Sequence, residues 1–171
     1  MPFQLFTPRL RLREFVPGDL DFLAALLASP QVMRFYPHCC DRTEALSWLD
    51  RTLMRYQRDG QGFWLAELVE DHTPIGQVGL LWQDVEGQCE PEIGYMLDAR
   101  FWGQGYATEA ASAVRDLAFG ELRLPYVISL IRPDNTPSQA VAGRLGMTPQ
   151  RNVTFHDLPH QLYQVQRTHS A

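Results

Sequence analysis

The sequence has 171 residues, 45% apolar and 20% charged, the composition of a folded chain long enough for one domain with its own core. All 15 basic residues are arginine, which excludes Schiff-base chemistry, a pyridoxal anchor and a lysine-dependent phosphate loop. The formal charge of −5 argues against nucleic acid as a partner, because a polyanion would need a local site instead of a global field.

Residues 9–14 read RLRLRE, and this alternation predicts a strand with Leu10 and Leu12 on one face and arginines on the other. Pro17-Gly18-Asp19 breaks it, and apolar spacing of three and four predicts a helix over 20–28 that Ser29-Pro30 stops. Asp41-x-x-Glu44 has the form of a capping box, opening a helix that Asp59-Gly60 ends. Its predicted apolar stripe is Leu46, Leu49, Leu53 and Met54. Arg51, Arg55 and Arg58 share a face of the same helix by their spacing. They form either a solvated outer face or a contact for an acidic substrate or partner.

Strands are predicted over 63–69, 75–82 and 92–97, with turns at Asp71-His72-Thr73-Pro74 and Glu86-Gly87-Gln88. The short connections favour an antiparallel meander. A glycine-rich loop then enters a helix over about 106–119. A strand over 126–131 follows, then a helix begun at Asp134-Asn135-Thr136-Pro137 and capped by Gly146. Two closing strands are expected at 148–155 and 161–168. The order β-αα-βββ-α-β-α-ββ predicts an α+β fold, a mixed sheet with helices on both faces, in a single domain over 1–171.

Cys39, Cys40 and Cys89 are an odd set without a disulfide framework, and two adjacent cysteines lack zinc-ligand spacing, so no metal site is expected. No apolar run approaches the roughly 20 residues of a membrane span. Residues 1–15 lack the regions of a signal peptide. The expectation is a reduced, cytoplasmic protein without a membrane partner.

The sharpest local signal is Trp102-Gly103-Gln104-Gly105-Tyr106-Ala107-Thr108, between a strand and a helix. Small residues admit a ligand close to the backbone, and free N–H groups at a helix start form an anion nest. Such a site needs no lysine. The alternative is a turn whose glycines serve geometry alone. A P-loop is excluded because Gly-Lys-Ser/Thr is absent. A dinucleotide fingerprint fails because Thr108 replaces its third glycine and one strand follows the helix.

Four segments occur in order over nearly the whole chain: Thr7-Pro8-Arg9-Leu10-x-Leu12-Arg13; Glu92-Ile93-Gly94-Tyr95-Met96-Leu97; Trp102-Gly103-x-Gly105-Tyr106-Ala107-Thr108-Glu109-Ala110; and Asn135-x-x-Ser138 with Leu145-Gly146-Met147. Together they resemble the RimJ/RimL-like branch of the GNAT superfamily of acyl-CoA-dependent N-acetyltransferases. The superfamily's pyrophosphate signature is Gln or Arg, two residues, Gly, one residue, then Gly or Ala. Gly105 and Ala107 match it; Trp102 departs at the first position, and Met147 replaces a usual Phe.

The resemblance implies a mostly antiparallel sheet of about seven strands, splayed in the middle around acetyl-CoA. It implies acetyl transfer to a primary amine by direct attack in a ternary complex, without a metal. The acceptor would be a protein N-terminal α-amine or a small amine. By the same resemblance, the backbone of Tyr95, Met96 and Leu97 would hold the pantetheine and polarise the thioester carbonyl. Trp102, Gly103, Gln104, Gly105, Tyr106, Ala107 and Thr108 would hold the pyrophosphate, and Asn135 would touch the pantetheine.

Glu92 is the implied base, with Glu90 a competitor; a terminal α-amine of pKa about 8 needs little more. Ser138 would protonate the leaving thiolate, or merely belong to a helix cap. Phe35, Tyr36 and His38 would shape the acceptor site. Glu109 reads as a structural carboxylate at a helix start. A charged side chain on the CoA 3′-phosphate would be an arginine or a protonated histidine, and Arg100, Arg132 and Arg144 flank the motifs. Ala142 stands where many family members have Tyr, which keeps a non-catalytic acyl-CoA-binding or regulatory module as the alternative. Family members are often dimers, so a homodimer is compatible with the resemblance.

Overall fold

The computed structural model describes residues 1–169. Strands β1 (Gln4–Phe6), β2 (Leu10–Glu14), β3 (Phe63–Leu68), β4 (Pro74–Val85), β5 (Gln88–Leu97), β6 (Tyr126–Ile131), β7 (Thr148–Phe155) and β8 (Leu158–Gln166) form one sheet in the order β1-β2-β3-β4-β5-β6-β8-β7. Helices α1 (Leu20–Ala28) and α2 (Arg42–Asp59) cover one face, packing Leu23, Leu27 and Leu49 on Leu65 and Met96. Helices α3 (Tyr106–Gly120) and α4 (Thr136–Arg144) cover the other, packing Val114 and Val141 on Trp64, Val78 and Ile93. No helix among the described residues is long and apolar enough to cross a membrane.

The expected mixed, mostly antiparallel sheet is present, with eight strands where about seven were anticipated. The additional strand, β1, has three residues, two of them exposed, so it carries no alternation to detect. Its pairing with β2 makes it a strand. The β4–β5 hairpin is longer than its apolar pattern, because backbone pairing continues through Gln83, Asp84, Cys89 and Glu90. It closes on Glu86 and Gly87, both at positive φ (50° and 84°).

Helix α2 shows why capping is legible in a sequence. The Glu44 N–H donates to Asp41 Oδ1 and the Asp41 N–H to Glu44 Oε2, each at 2.8 Å, and Gly60 ends the helix at φ 76°. The apolar stripe is rotated from the expected one. Ala45, Leu49 and Thr52 face the core, whereas Leu46 and Met54 are exposed. The sheet surface under α2 decides which flank is covered, and the helical period alone leaves that choice open.

Two features of the sheet place the site. The first is a separation of strands. β5 and β6 run parallel and pair at Glu92↔Ile128, whereas β6 pairs with β8 at six positions. Ser129 Oγ donates to the Ile93 carbonyl (2.8 Å) at the point where β5 and β6 part. The second is a glycine pair, Gly79↔Gly94, on the face under α2. A methyl group on Gly79 would overlap the Gly62 carbonyl oxygen, and one on Gly94 would press on the Phe63 ring. Gly79→Ala is therefore expected to destabilise the protein by about 2–3 kcal/mol. A drop of roughly 5–10 °C in thermal unfolding checks this.

Candidate active site

The gap begins beyond Ile93. In the β4–β5 ladder, alternate residues of β5 turn their backbone groups to β4 and the rest point away. The Ile93 carbonyl points away, to Ser129, so Tyr95 and Leu97 do too, into the space that β6 has left. The Leu97 carbonyl is taken by the Trp102 indole N–H (2.9 Å). Met96 turns its backbone to β4, and its side chain is buried under α1 and α2. The Tyr95 side chain crosses to α4, where its hydroxyl donates to the Ser138 carbonyl (2.6 Å). Burial, then the Glu92 charge, push this phenol up.

The glycine-rich loop follows β5 after a single 3-10 turn, Ala99–Phe101. Gly103 (φ 73°) and Gly105 (φ 82°) adopt left-handed backbone, which the missing Cβ permits. Gly105 is the N-cap of α3, and the first helical bond runs from the Glu109 N–H to the Gly105 carbonyl (3.0 Å). The N–H groups of Gly103, Gln104, Gly105, Tyr106, Ala107 and Thr108 therefore meet no acceptor among the described residues. Six consecutive free donors at a helix start suit an anion.

Glu92 lies at the apex of the gap and is 8% exposed. Gln83 Nε2 donates to its Oε1 (3.0 Å) and the Leu130 N–H to its Oε2 (3.3 Å). Burial pushes its carboxyl up to about 7, against the opposing pull of those two donors and of the Arg55 charge. A group that titrates there exchanges protons readily at neutral pH. Glu90, two residues earlier, instead accepts the Tyr126 hydroxyl and drives that phenol up to about 12.

On the α2 face lies a cleft of about 420 Å³ lined by Met33, Tyr36, His38, Glu44, Trp48 and Arg51, among others. Tyr36 sits 6.3 Å from Trp48, which stacks on Phe63 at 6.2 Å. Tyr36 is 41% exposed, and desolvation of its hydroxyl, then the Glu92 charge, push the phenol up. His38 Nε2 pairs with Glu44 Oε1 (2.8 Å) at the rim.

A model of the GNAT acetyltransferase domain matches residues 9–148, spanning the gap, the loop and Glu92. The chain belongs to the GNAT acetyltransferase family. It is 34% identical over 162 residues to the uncharacterized protein YkkB of Bacillus subtilis (strain 168), covering 94% of each chain. Its fold matches the crystal structure of an acetyltransferase from Agrobacterium tumefaciens str. C58 with a TM-score of 0.84 at 31% identity, covering 96% and 94% of the two chains. RimL, a ribosomal L7/L12 α-N-protein acetyltransferase solved in complex with coenzyme A, shares the fold at 17% identity (TM-score 0.76, 96% and 97% covered).

Within this GNAT chain the sequence-predicted residues divide as follows. Glu92, Tyr95, Leu97 and the segment 102–108 converge on the gap and the loop beside it. Asn135 is the N-cap of α4, accepting the Ser138 N–H at 3.3 Å. The Ser138 hydroxyl has no hydrogen-bond partner among the described residues, and its carbonyl is held by Tyr95. Ala142 is fully buried beside the Tyr95 hydroxyl, and its small side chain leaves room for that ring.

Tyr36 and His38 line the cleft; Phe35 does not, and its carbonyl accepts Arg132 Nη1 (3.1 Å). Arg132 keeps a buried Nε without a partner, Arg100 pairs with Asp98 at 2.8 Å, and Arg144 lies exposed in the last turn of α4.

The three arginines of α2 do not share one environment. Arg51 lines the cleft, Arg58 pairs with Asp59 (2.6 Å), and Arg55 is half-buried with Nη1 enclosed and unpartnered. Burial, with the neighbouring Arg58 charge, lowers the Arg55 pKa. Trp48 and Gln83 were absent from the sequence expectations. Trp48, one turn beyond Glu44, was detectable as an aromatic on the side of α2 that continues to Arg51 and Arg55. Gln83 was not, because its significance arises from a cross-strand neighbour.

Proposed function

We propose that this chain transfers an acetyl group from acetyl-CoA to a primary amine, by direct attack within a ternary complex, as a single domain over residues 1–171. The observation that carries this reading is the run of six unpartnered N–H groups beside the gap between β5 and β6. The loop fits a pyrophosphate, because the donors are backbone amides and Gly103 leaves its surface open. RimL, with the same fold, was solved with coenzyme A, which supports that donor.

Acetyl-CoA supplies an activated thioester carbonyl; the chain supplies position and proton transfer. The free N–H groups of Tyr95 and Leu97 hold the pantetheine arm and polarise the carbonyl. Glu92 takes the proton that the attacking ammonium must lose, directly or through a water. Ser138 is the hydroxyl available to protonate the leaving thiolate, and Asn135 orders its turn. The acceptor enters from the cleft, whose size is that of a small-ligand site. A small amine or the first residues of a peptide fit this reading.

Calorimetric titration with acetyl-CoA and CoA is the direct test, followed by thiol release over a panel of peptides and small amines. Absence of binding at high micromolar cofactor overturns the proposal. Binding without turnover across the panel favours a non-catalytic acyl-CoA module, the reading that Ala142 supports. Tyr36→Ala is expected to raise the acceptor KM roughly tenfold through loss of an aromatic wall, with the acetyl-CoA KM unchanged. Initial-rate kinetics with each substrate varied in turn check this.

A further inference from the structure

Arg9 lies just before β2, yet its side chain reaches the start of α3. Its backbone N–H donates to Glu109 Oε1 (2.9 Å) and its Nε to Glu109 Oε2 (2.7 Å). The Thr7 hydroxyl donates to the same Oε1 (2.6 Å). Arg9 Nη1 donates to the Gln104 carbonyl (3.0 Å), and the guanidinium carbon stands 4.2 Å over the Tyr106 ring. Nη2 has no hydrogen-bond partner among the described residues and lies 3.4 Å from the position of a Cβ on Gly105. One guanidinium thus contacts Gln104 and Tyr106 of the loop, on either side of Gly105, while holding the acid of the first helical turn.

Glu109 poses an electrostatic problem for that loop. Burial pushes its carboxyl up, but the hydrogen bonds from Thr7 and Arg9, with the Arg9 charge, outweigh burial and keep it anionic. An anion in the first turn competes with a phosphate for the same field. Paired with Arg9, it is neutralised. Only a planar fork can bind the carboxylate through Nε, the Gln104 carbonyl through Nη1 and still offer Nη2 to a ligand; a lysine ammonium cannot span those points.

We propose that Arg9 is the charged side chain of the phosphate site. It fixes the loop through Gln104, masks Glu109 and presents Nη2 to a phosphate group of CoA. This rests on the reading of the loop as a CoA site. It assigns to the segment before β2 a role for which the sequence offered Arg100, Arg132 and Arg144; among the described residues the Arg9 guanidinium is the one hydrogen-bonded to the loop, at the Gln104 carbonyl.

The test measures dissociation constants of CoA and 3′-dephospho-CoA, and turnover of S-acetylpantetheine, in wild type, Arg9→Gln, Arg9→Lys and the double variant Arg9→Gln/Glu109→Gln. Arg9→Gln is expected to weaken CoA roughly tenfold or more, the scale of one charged hydrogen-bond contact. S-acetylpantetheine, which has no phosphate, turns over within about twofold of wild type. Arg9→Lys falls between, keeping the charge and losing the fork.

An equal loss with dephospho-CoA assigns Nη2 to the pyrophosphate; a loss confined to CoA assigns it to the 3′-phosphate. Removing the unmasked anion in the double variant restores part of the affinity lost in Arg9→Gln. An unchanged CoA constant in Arg9→Gln overturns the proposal, as does an equal loss with S-acetylpantetheine, which signals general disorder. A double variant no better than Arg9→Gln removes the masking role. Failure of the wild type to bind CoA defeats the underlying reading instead.

Discussion

Replacing Glu92 with Gln lowers kcat/KM by about 10²- to 10⁴-fold, the usual contribution of a positioned general base. The pH profile is the more specific readout. The base must be ionised to accept a proton, so wild-type kcat/KM rises about tenfold per unit below pH 7 and levels above it, following a carboxyl pushed up to about 7. Glu92→Gln lacks that limb. Any pH dependence left in the variant belongs to the acceptor amine, whose own pKa, about 8 for a terminal α-amine, is moved by changing the amine.

Stability separates a missing base from a misfolded site. The folded pKa of Glu92 is raised above its ordinary value of 4.5, so the protonated form is favoured in the folded chain. The stability linked to Glu92 is therefore fully present below pH 4.5 and is lost as pH rises towards 7. Gln cannot titrate, so the melting temperature of the variant gains on wild type between pH 5 and pH 8. A variant as active as wild type, or one that keeps the same limb, would falsify Glu92 as the base.

The second large effect is at the phosphate loop. Gly105→Glu is expected to weaken acetyl-CoA about 100-fold or more, because it sets a negative charge against the free N–H groups proposed to hold the phosphates. At an effective dielectric near 20, two unit charges about 4 Å apart interact by roughly 4 kcal/mol, ample for that loss. The backbone at φ 82° adds strain for any side chain. Gly105→Ala reports that strain alone and Gly105→Gln adds bulk without charge, so the charge effect is the difference between Gln and Glu. Titration calorimetry reads all three. An unchanged CoA constant in Gly105→Glu would remove the phosphate site from this loop.

Much of the scaffold was legible because its signals are local. Asp41 and Glu44 cap α2 by contacts three residues apart, and Gly60 ends it in a conformation that glycine takes freely. The 102–108 loop announced itself by its glycines between a strand and a helix. Misreadings arose where a tertiary partner decides. Leu46 and Met54 fit the helical period of α2, yet the sheet lies under Ala45, Leu49 and Thr52. β1 has no pattern of its own and exists through its ladder with β2. Arg51, Arg55 and Arg58 are equivalent by spacing and differ only in what surrounds them.

By itself, the sequence determined the order of elements, the family motifs, and that no lysine holds a phosphate, which leaves backbone amides, arginine or a protonated histidine. These are properties of neighbours along the chain and of composition. The tertiary structure alone decided that Glu92 titrates near neutrality, through burial and the approach of Gln83 and Leu130. It also decided that the arginine on the loop is Arg9, a hundred residues from the Glu109 it neutralises. Desolvation and charge pairing depend on distance in space, and the fold sets those distances.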